Sequence, residues 1–123
     1  MTIASPSAFA EKVADCDFNL DWSHESGHVP GMIDSQAVIN CRSPKAYLGV
    51  EVRLTKLTPY FDQSYNSYVN NSGTGSWVGT TAALGCNGGT YQAEAEFLMV
   101  EHNGARHERS HQTPVRDIPC VAR

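Results

Sequence analysis

Five histidines are the first residues in this chain whose type and spacing could do chemistry. His24 and His28 stand four apart in WSHESGH, and His102, His107 and His111 flank and follow an Asn-Gly pair. On a helix, positions four apart share a face and could clasp zinc, given a third ligand and outer partners to orient them. Gly27 and Pro30-Gly31 instead make the first pair part of a loop, and the H-E-x-x-H order is absent. A hairpin turning at Asn103-Gly104 would let His102 and His107 stand near each other across two strands. Solvated polar histidines are the plainer account, and no cofactor is expected.

Carboxylates and hydroxyls give less. Asp15, Asp17 and Asp21 alternate in ADCDFNLD, which on a strand sets three carboxylates on one face. Glu94 and Glu96 alternate in the same way. Such pairs can serve acid–base chemistry or calcium, but a solvated strand face explains them as well. No G-x-S-x-G elbow frames a serine, and the reading is of a protein that is not an enzyme.

A binding surface is easier to defend. Residues 58–76, TPYFDQSYNSYVNNSGTGS, hold Tyr60, Phe61, Tyr65 and Tyr68 among Asn, Ser and Gly. Tyrosine supplies large contact area at small entropic cost, and short polar side chains supply adaptable hydrogen bonds. The candidate binding residues are therefore Tyr60, Tyr65, Asn66, Tyr68 and, close by, Trp77. The segment reads as a protruding recognition loop. An irregular connection whose tyrosines cover a sheet edge is the competing account. Asn70-Asn71-Ser72 also matches a glycosylation sequon.

Four cysteines decide what must position these residues. Cys16, Cys41, Cys86 and Cys120 are spaced by 25, 45 and 34 residues, with none of the close pairs of a zinc or redox motif. An even count at wide intervals in a short chain indicates two structural disulfides, hence an oxidising, extracellular compartment. Three pairings are possible. Cys16 with Cys41 and Cys86 with Cys120 is preferred because each half has the same strand–loop–strand outline. A Cys41–Cys86 bridge would instead resemble the inter-sheet pin of an immunoglobulin-like domain. Loop-closure estimates of roughly 3–4 kcal/mol do not separate the pairings.

Nine Lys and Arg stand against thirteen Asp and Glu, a formal net charge of −4. That balance argues against nucleic acid, whose phosphates call for concentrated positive charge. No apolar run approaches the roughly 18 residues of a membrane span. The opening MTIASPSAFAEKVADC has neither the basic nor the apolar region of a signal peptide, so secretion would make this a mature form.

Strand signals dominate the pattern. In AYLGVEVRL, Leu48, Val50, Val52 and Leu54 alternate with Gly49, Glu51 and Arg53; in TYQAEAEF, Tyr91, Ala93, Ala95 and Phe97 alternate with Gln92, Glu94 and Glu96. A period of two marks half-buried strands, with Leu48, Val50, Val52, Leu54, Tyr91, Ala95 and Phe97 in the core. Further strands are expected at 16–22, 35–41, 75–81, 106–112 and 118–121. Asn103-Gly104 suits a type I′ hairpin, and Asn87-Gly88-Gly89 and Asn71-Ser72-Gly73 are further breaks. About seven strands stapled by two disulfides fit an all-β, Greek-key or immunoglobulin-like β-sandwich over residues 16–123. Residues 1–15 read as an N-terminal arm or a short helix over 7–14, with Pro6 suited to the first turn.

Cys16, Gly27, Val29, Gly31, Cys41 and Pro44, followed by Cys86, Gly89, Tyr91, Ala95 and Cys120, resemble a group of small secreted actinobacterial proteins. In that group a C…G-x-V-x-G…C-x-x-P half precedes a C-x-x-G-x-Y-x-x-x-A half and a terminal cysteine. The resemblance implies secretion and a stapled β fold, and implies no reaction. The function expected is a secreted module that binds another protein, as an adaptor, inhibitor or toxin-associated subunit, in part through the N-terminal arm. A carbohydrate-binding module using Trp22, Trp77 or the tyrosines is the alternative, and a metal-dependent hydrolase the third.

Overall fold

The computed structural model describes residues 7–21, 23–25, 31–58, 61–86 and 88–119. Its strands are β1 (Ser7–Val13), β2 (Cys16–Asp21), β3 (His24–Glu25), β4 (Met32–Cys41), β5 (Tyr47–Thr58), β6 (Asp62–Asn70), β7 (Trp77–Gly85), β8 (Thr90–Val100), β9 (Arg106–Gln112) and β10 (Arg116–Asp117), with no helix among the described residues. Two five-stranded antiparallel sheets result. In the first, β1 pairs β2, β2 and β3 both pair β4, and β7 pairs β4 on its other side. In the second, β9 and β10 pair one side of β8, β5 pairs the other, and β6 lies outermost against β5.

The alternation read from the sequence is the one the sheets use. Leu48, Val50, Val52, Leu54, Tyr91, Ala95 and Phe97 are all buried. They meet Phe18, Leu20, Ile33, Ile39 and Val78 of the first sheet in one core, where the Phe18 and Phe97 rings stack at 5.4 Å. Cys16 bonds Cys41, as preferred, directly across the β2–β4 pair with Cα atoms 3.9 Å apart. Cys86 is buried and is not a free thiol; Cys120 lies outside the described residues.

Several expectations are corrected. Residues 7–13 form neither a helix nor a free arm. Phe9, Glu11 and Val13 alternate, and β2 offers an edge to pair, so the segment becomes β1. Val13 enters the core, Phe9 lies 4.2 Å from the His111 ring, and Glu11 accepts a 2.8 Å bond from Arg109. Ala14 then takes φ 54° in the two-residue turn before Cys16, a conformation that alanine adopts rarely. The Asn103-Gly104 connection is five residues long, not a two-residue type I′ turn: Gly104 alone of the pair has positive φ, and Asn103 Oδ1 accepts the Ala105 N–H at 2.9 Å. Of the strand expected at 118–121, residues 118 and 119 are not in a strand and residues 120 and 121 lie outside the described residues; the short strand observed is Arg116–Asp117. Ile118 donates its N–H to the Gly89 carbonyl at 2.9 Å, and Pro119 has no N–H with which to extend the ladder. Gly89 itself, at φ 134°, has the Thr58 carbonyl oxygen 2.0 Å from where a Cβ would sit. Only glycine fits there.

The largest correction concerns residues 58–76. Asp62–Asn70 is not a protruding loop but a full strand, paired with β5 from Leu48↔Asn70 to Lys56↔Asp62. No apolar alternation announces it because its core-side positions have a different task. Ser64 Oγ accepts the Ala83 N–H at 3.3 Å, Asn66 Nδ2 donates to the Thr81 carbonyl at 3.1 Å, and Asn70 Nδ2 donates to the Trp77 carbonyl at 3.2 Å. Side chains of β6 thus satisfy the backbone edge of β7 and close one side of the sandwich.

Candidate functional site

The residues with chemical capacity gather on the outer face of the second sheet. Successive side chains of a strand point to opposite faces, so burying Val50, Val52, Ala95 and Phe97 forces Glu51, Arg53, Glu94 and Glu96 outward. Antiparallel register then sets Glu51 opposite Glu96, Arg53 opposite Glu94, and Gly49 opposite Leu98. From β6, Tyr65 faces Arg53, Ser67 faces Glu51 and Val69 faces Gly49. From β9, Ser110 faces Glu96 and Glu108 faces Leu98.

This face is concave. A groove of about 430 Å³ is lined by Tyr47, Val69 and Leu98 and, next to them, by Glu51 and Glu96, with Glu108 beside Leu98. A smaller hollow of about 110 Å³ continues it toward Arg53, Tyr65 and Glu94. Gly49 makes room at the apolar end: a Cβ there would stand 2.9 Å from the Tyr47 ring, which lies across the glycine.

Like charges directly opposite each other in a ladder repel, and the two central carboxyls share their protons unequally. The Tyr65 hydroxyl donates a 2.7 Å bond to Glu51 Oε1. That bond, with a further one from Glu96, holds Glu51 below the ordinary glutamate value. Glu96 is pushed above it by the neighbouring Glu51. Tyr65 is pushed up, chiefly because ionising its phenol would forfeit the hydrogen bond it donates to Glu51, and also because it would set two negative charges together. The Arg53 guanidinium lies 6.0 Å from the Tyr65 ring centre, within reach of a cation–π attraction.

Of the binding residues expected from sequence, Tyr60 lies outside the described residues. Tyr65 and Tyr68 are 53% and 62% exposed. They do not share a face: Tyr65 bonds Glu51 on the outer surface, whereas Tyr68 stands on the side of β6 that Asn66 and Asn70 turn toward β7. Asn66 is committed to the Thr81 carbonyl. Trp77 is half exposed on the outer face of the other sheet, close against the backbone of Gly79. Asn70, the sequon asparagine, is also committed, since its Oδ1 accepts from the Ser72 N–H and hydroxyl.

His102, His107 and His111 do not converge on a common site. Among the described residues no group of three or more His, Cys, Asp or Glu could hold a metal. His28 lies outside them, and His24 begins β3. His107 pairs in register with Met99 rather than with His102, and its Nε2 lies 3.5 Å from Glu101 Oε2. His111 stacks on Phe9. The three aspartates separate as well: Asp17 and Asp21 lie on β2, but Asp15 occupies the preceding turn.

Asp15 belongs to a charged cluster at the end of the sandwich. Lys45, 3% exposed, donates to Asp15 Oδ1 at 2.5 Å and to Glu101 Oε1 at 2.8 Å. The lysine and the Ser43 hydroxyl lower the Asp15 carboxyl to about 2, and Lys45 likewise lowers Glu101. Burial opposes the Lys45 charge, but the bonds to Asp15 and Glu101 raise it above the ordinary lysine value. It is a fixed cation and a poor base. Removing one member of a fully buried pair costs roughly 3–5 kcal/mol. The carboxylates here keep 31% and 28% exposure and can rehydrate, so Lys45→Met is expected to cost about 2 kcal/mol. Asp15 binds protons more weakly folded than unfolded. Its stabilisation is therefore full above the unfolded value of 3.8 and is lost as pH falls toward about 2. Urea unfolding of both proteins at about pH 5 and about pH 2 checks this. The acid-induced loss should shrink in the variant, and an equal loss in both would remove the cluster from the account.

No family model and no curated protein matches this chain. Glu51, Glu96, Tyr47 and Leu98 were not among the residues singled out for binding from sequence. The signal that finds them is register: aligning Val50 with Phe97 places Glu51 against Glu96, an unfavourable pairing that stability alone does not explain.

Proposed function

We propose that the protein is a non-enzymatic recognition module that binds another protein through β6 and the adjoining outer face of the second sheet. One observation carries this reading. Leu57, Phe61, Tyr65, Tyr68, Val69 and Trp77 are all large, apolar and exposed, and all fall within one stretch of 21 residues around β6. Large apolar side chains left exposed along and beside one strand are characteristic of interaction sites, and aromatic side chains supply most of the energy in such contacts. The Cys16–Cys41 bridge supports an extracellular setting. A Greek-key or immunoglobulin-like topology with a second bridge from Cys86 to Cys120 belongs to the same reading, supported by the chain crossings between sheets after β4, β6 and β7. So does kinship with the small secreted actinobacterial proteins, and with it a role as adaptor, inhibitor or toxin-associated subunit. A carbohydrate platform draws less support, because Tyr65, Tyr68 and Trp77 stand on different faces.

The double variant Tyr65→Ala, Tyr68→Ala tests the reading. Both rings are mostly solvated, so stability should change by no more than about 0.5 kcal/mol. Capture of a partner from native extracellular medium should weaken by roughly 2 kcal/mol or more. Gln63→Ala is the fitting control, because Ser64 is engaged with β7. Unfolding of the double variant, or undiminished capture, would make the tyrosines structural and refute the proposal.

A further inference from the structure

The groove on the second sheet has charge that its own surroundings leave unanswered. Each nearby arginine is engaged elsewhere. Arg109 donates to Glu11 Oε2 at 2.8 Å and to the Glu108 carbonyl at 2.8 Å. Arg106 lies 3.5 Å from Glu108, and Arg53 stands opposite Glu94 and beside the Tyr65 ring. Arg53 gives the central carboxyls only a weaker, longer-range attraction. Among the described residues neither Glu51 nor Glu96 has an ion pair. They are left with the Tyr65 hydroxyl and with each other. Beside them lies an apolar wall of Tyr47, Val69 and Leu98, within the same 430 Å³.

A carboxylate pair next to an apolar channel complements one kind of side chain, a cationic head on an aliphatic stem. We infer that the groove receives a lysine or arginine side chain from an extended segment of a partner protein. The head lies between Glu51 and Glu96, and the stem runs along Leu98, Val69 and the Tyr47 ring. Resting on the recognition reading above, this names the partner's chemistry. Tyr65, Ser67 and Val69 are shared between the groove and the exposed strand β6, so the site continues the surface already assigned.

The geometry makes binding depend on protons. Glu96 faces Glu51, with Arg53 of β5, Tyr65 of β6 and Glu94 of its own strand nearby. From β9, Ser110 stands opposite it and Glu108 is the next outward residue, while Arg109 alternates to the other face and bonds Glu11. The Glu96 carboxyl titrates above the ordinary glutamate range, through the hydrogen bond and the negative charge of Glu51, and within that titration an arriving cation must displace the proton. Affinity should therefore rise as pH increases through the titration of Glu96, with net proton release on binding.

The test titrates the full chain with a five-residue lysine–threonine peptide blocked at both ends, and with the same peptide carrying norleucine for lysine. Amide NMR shifts report binding, and calorimetry in two buffers of different ionisation enthalpy counts protons. The lysine peptide should shift amides around Glu51, Glu96 and Leu98, and should bind at least about tenfold more tightly than its norleucine counterpart, a difference of about 1.4 kcal/mol. Glu51→Gln, Glu96→Gln should erase that preference while leaving the fold intact, since it removes facing like charges. Equal binding of the two peptides, unchanged lysine binding by the glutamine variant, or displacement by a neutral oligosaccharide would each overturn the inference. If neither peptide binds while Tyr68-dependent capture persists, the inference fails and the recognition reading stands.

Discussion

Val52→Asp is expected to leave no cooperatively folded protein. Val52 is fully buried on β5, between β6 and β8, with Asn66 and Ala95 as its register partners. Removing its methyl groups from the core forfeits about 1.5–3 kcal/mol. Enclosing a carboxyl without a partner adds several kcal/mol more, and the sum rivals the roughly 5–15 kcal/mol by which domains of this size are stable. Collapse of amide dispersion in an NMR spectrum would display the loss. Glu51→Ala, one residue away on the opposite face, removes a carboxylate that faces another and should change stability by no more than about 0.5 kcal/mol. Equal damage from both would mean that the groove face is buried in a way its exposure contradicts.

Removing the Cys16–Cys41 bridge should have the next largest effect. The bridge joins residues 25 apart in sequence and so constrains the unfolded chain by about 3 kcal/mol. Cys16→Ala with Cys41→Ala should lower the melting temperature by roughly 10–15 °C while the strands still pair. Both sulfurs lie on the core side of the first sheet, where Cys16 is fully buried, so alanine also leaves a small void. The loss should appear by calorimetry under non-reducing conditions, and a reduced wild-type sample should melt no higher than the double variant, because reduction also opens the bridge made by Cys86. A fall of only a degree or two would show that the β2–β4 ladder alone fixes this corner.

The two central strands of the second sheet were legible in sequence because each has one buried face, which imposes strict alternation from Leu48 to Leu54 and from Tyr91 to Phe97. The Cys16–Cys41 bridge was legible too, since its cysteines end and begin paired strands. β6 was not. Its core-side residues are Ser64, Asn66 and Asn70, and their bonds go to a backbone edge whose position depends on the other sheet. A run of Ser, Asn and Tyr with such a task has the composition of a loop. β1 was hidden by its length and by Pro6, although Phe9, Glu11 and Val13 already alternate. The groove escaped for a third reason. Each of its glutamates looks like an ordinary solvated residue on its own strand, and the opposition of Glu51 to Glu96 exists only once register joins strands 45 positions apart.

The closure of β7 by Ser64, Asn66 and Asn70 bears on how this protein keeps to itself. An open strand edge is a template on which a foreign or misfolded chain can add, and it is a common origin of fibrous aggregates. Along β7 the Trp77 and Thr81 carbonyls and the Ala83 amide are already spoken for by amide and hydroxyl side chains. No second backbone can engage that row without first displacing them. The strand that supplies these side chains is also the one richest in exposed aromatics, so the stickiest segment of the molecule serves as a guard rail for its neighbour. Partner recognition and solubility thus draw on the same nine residues.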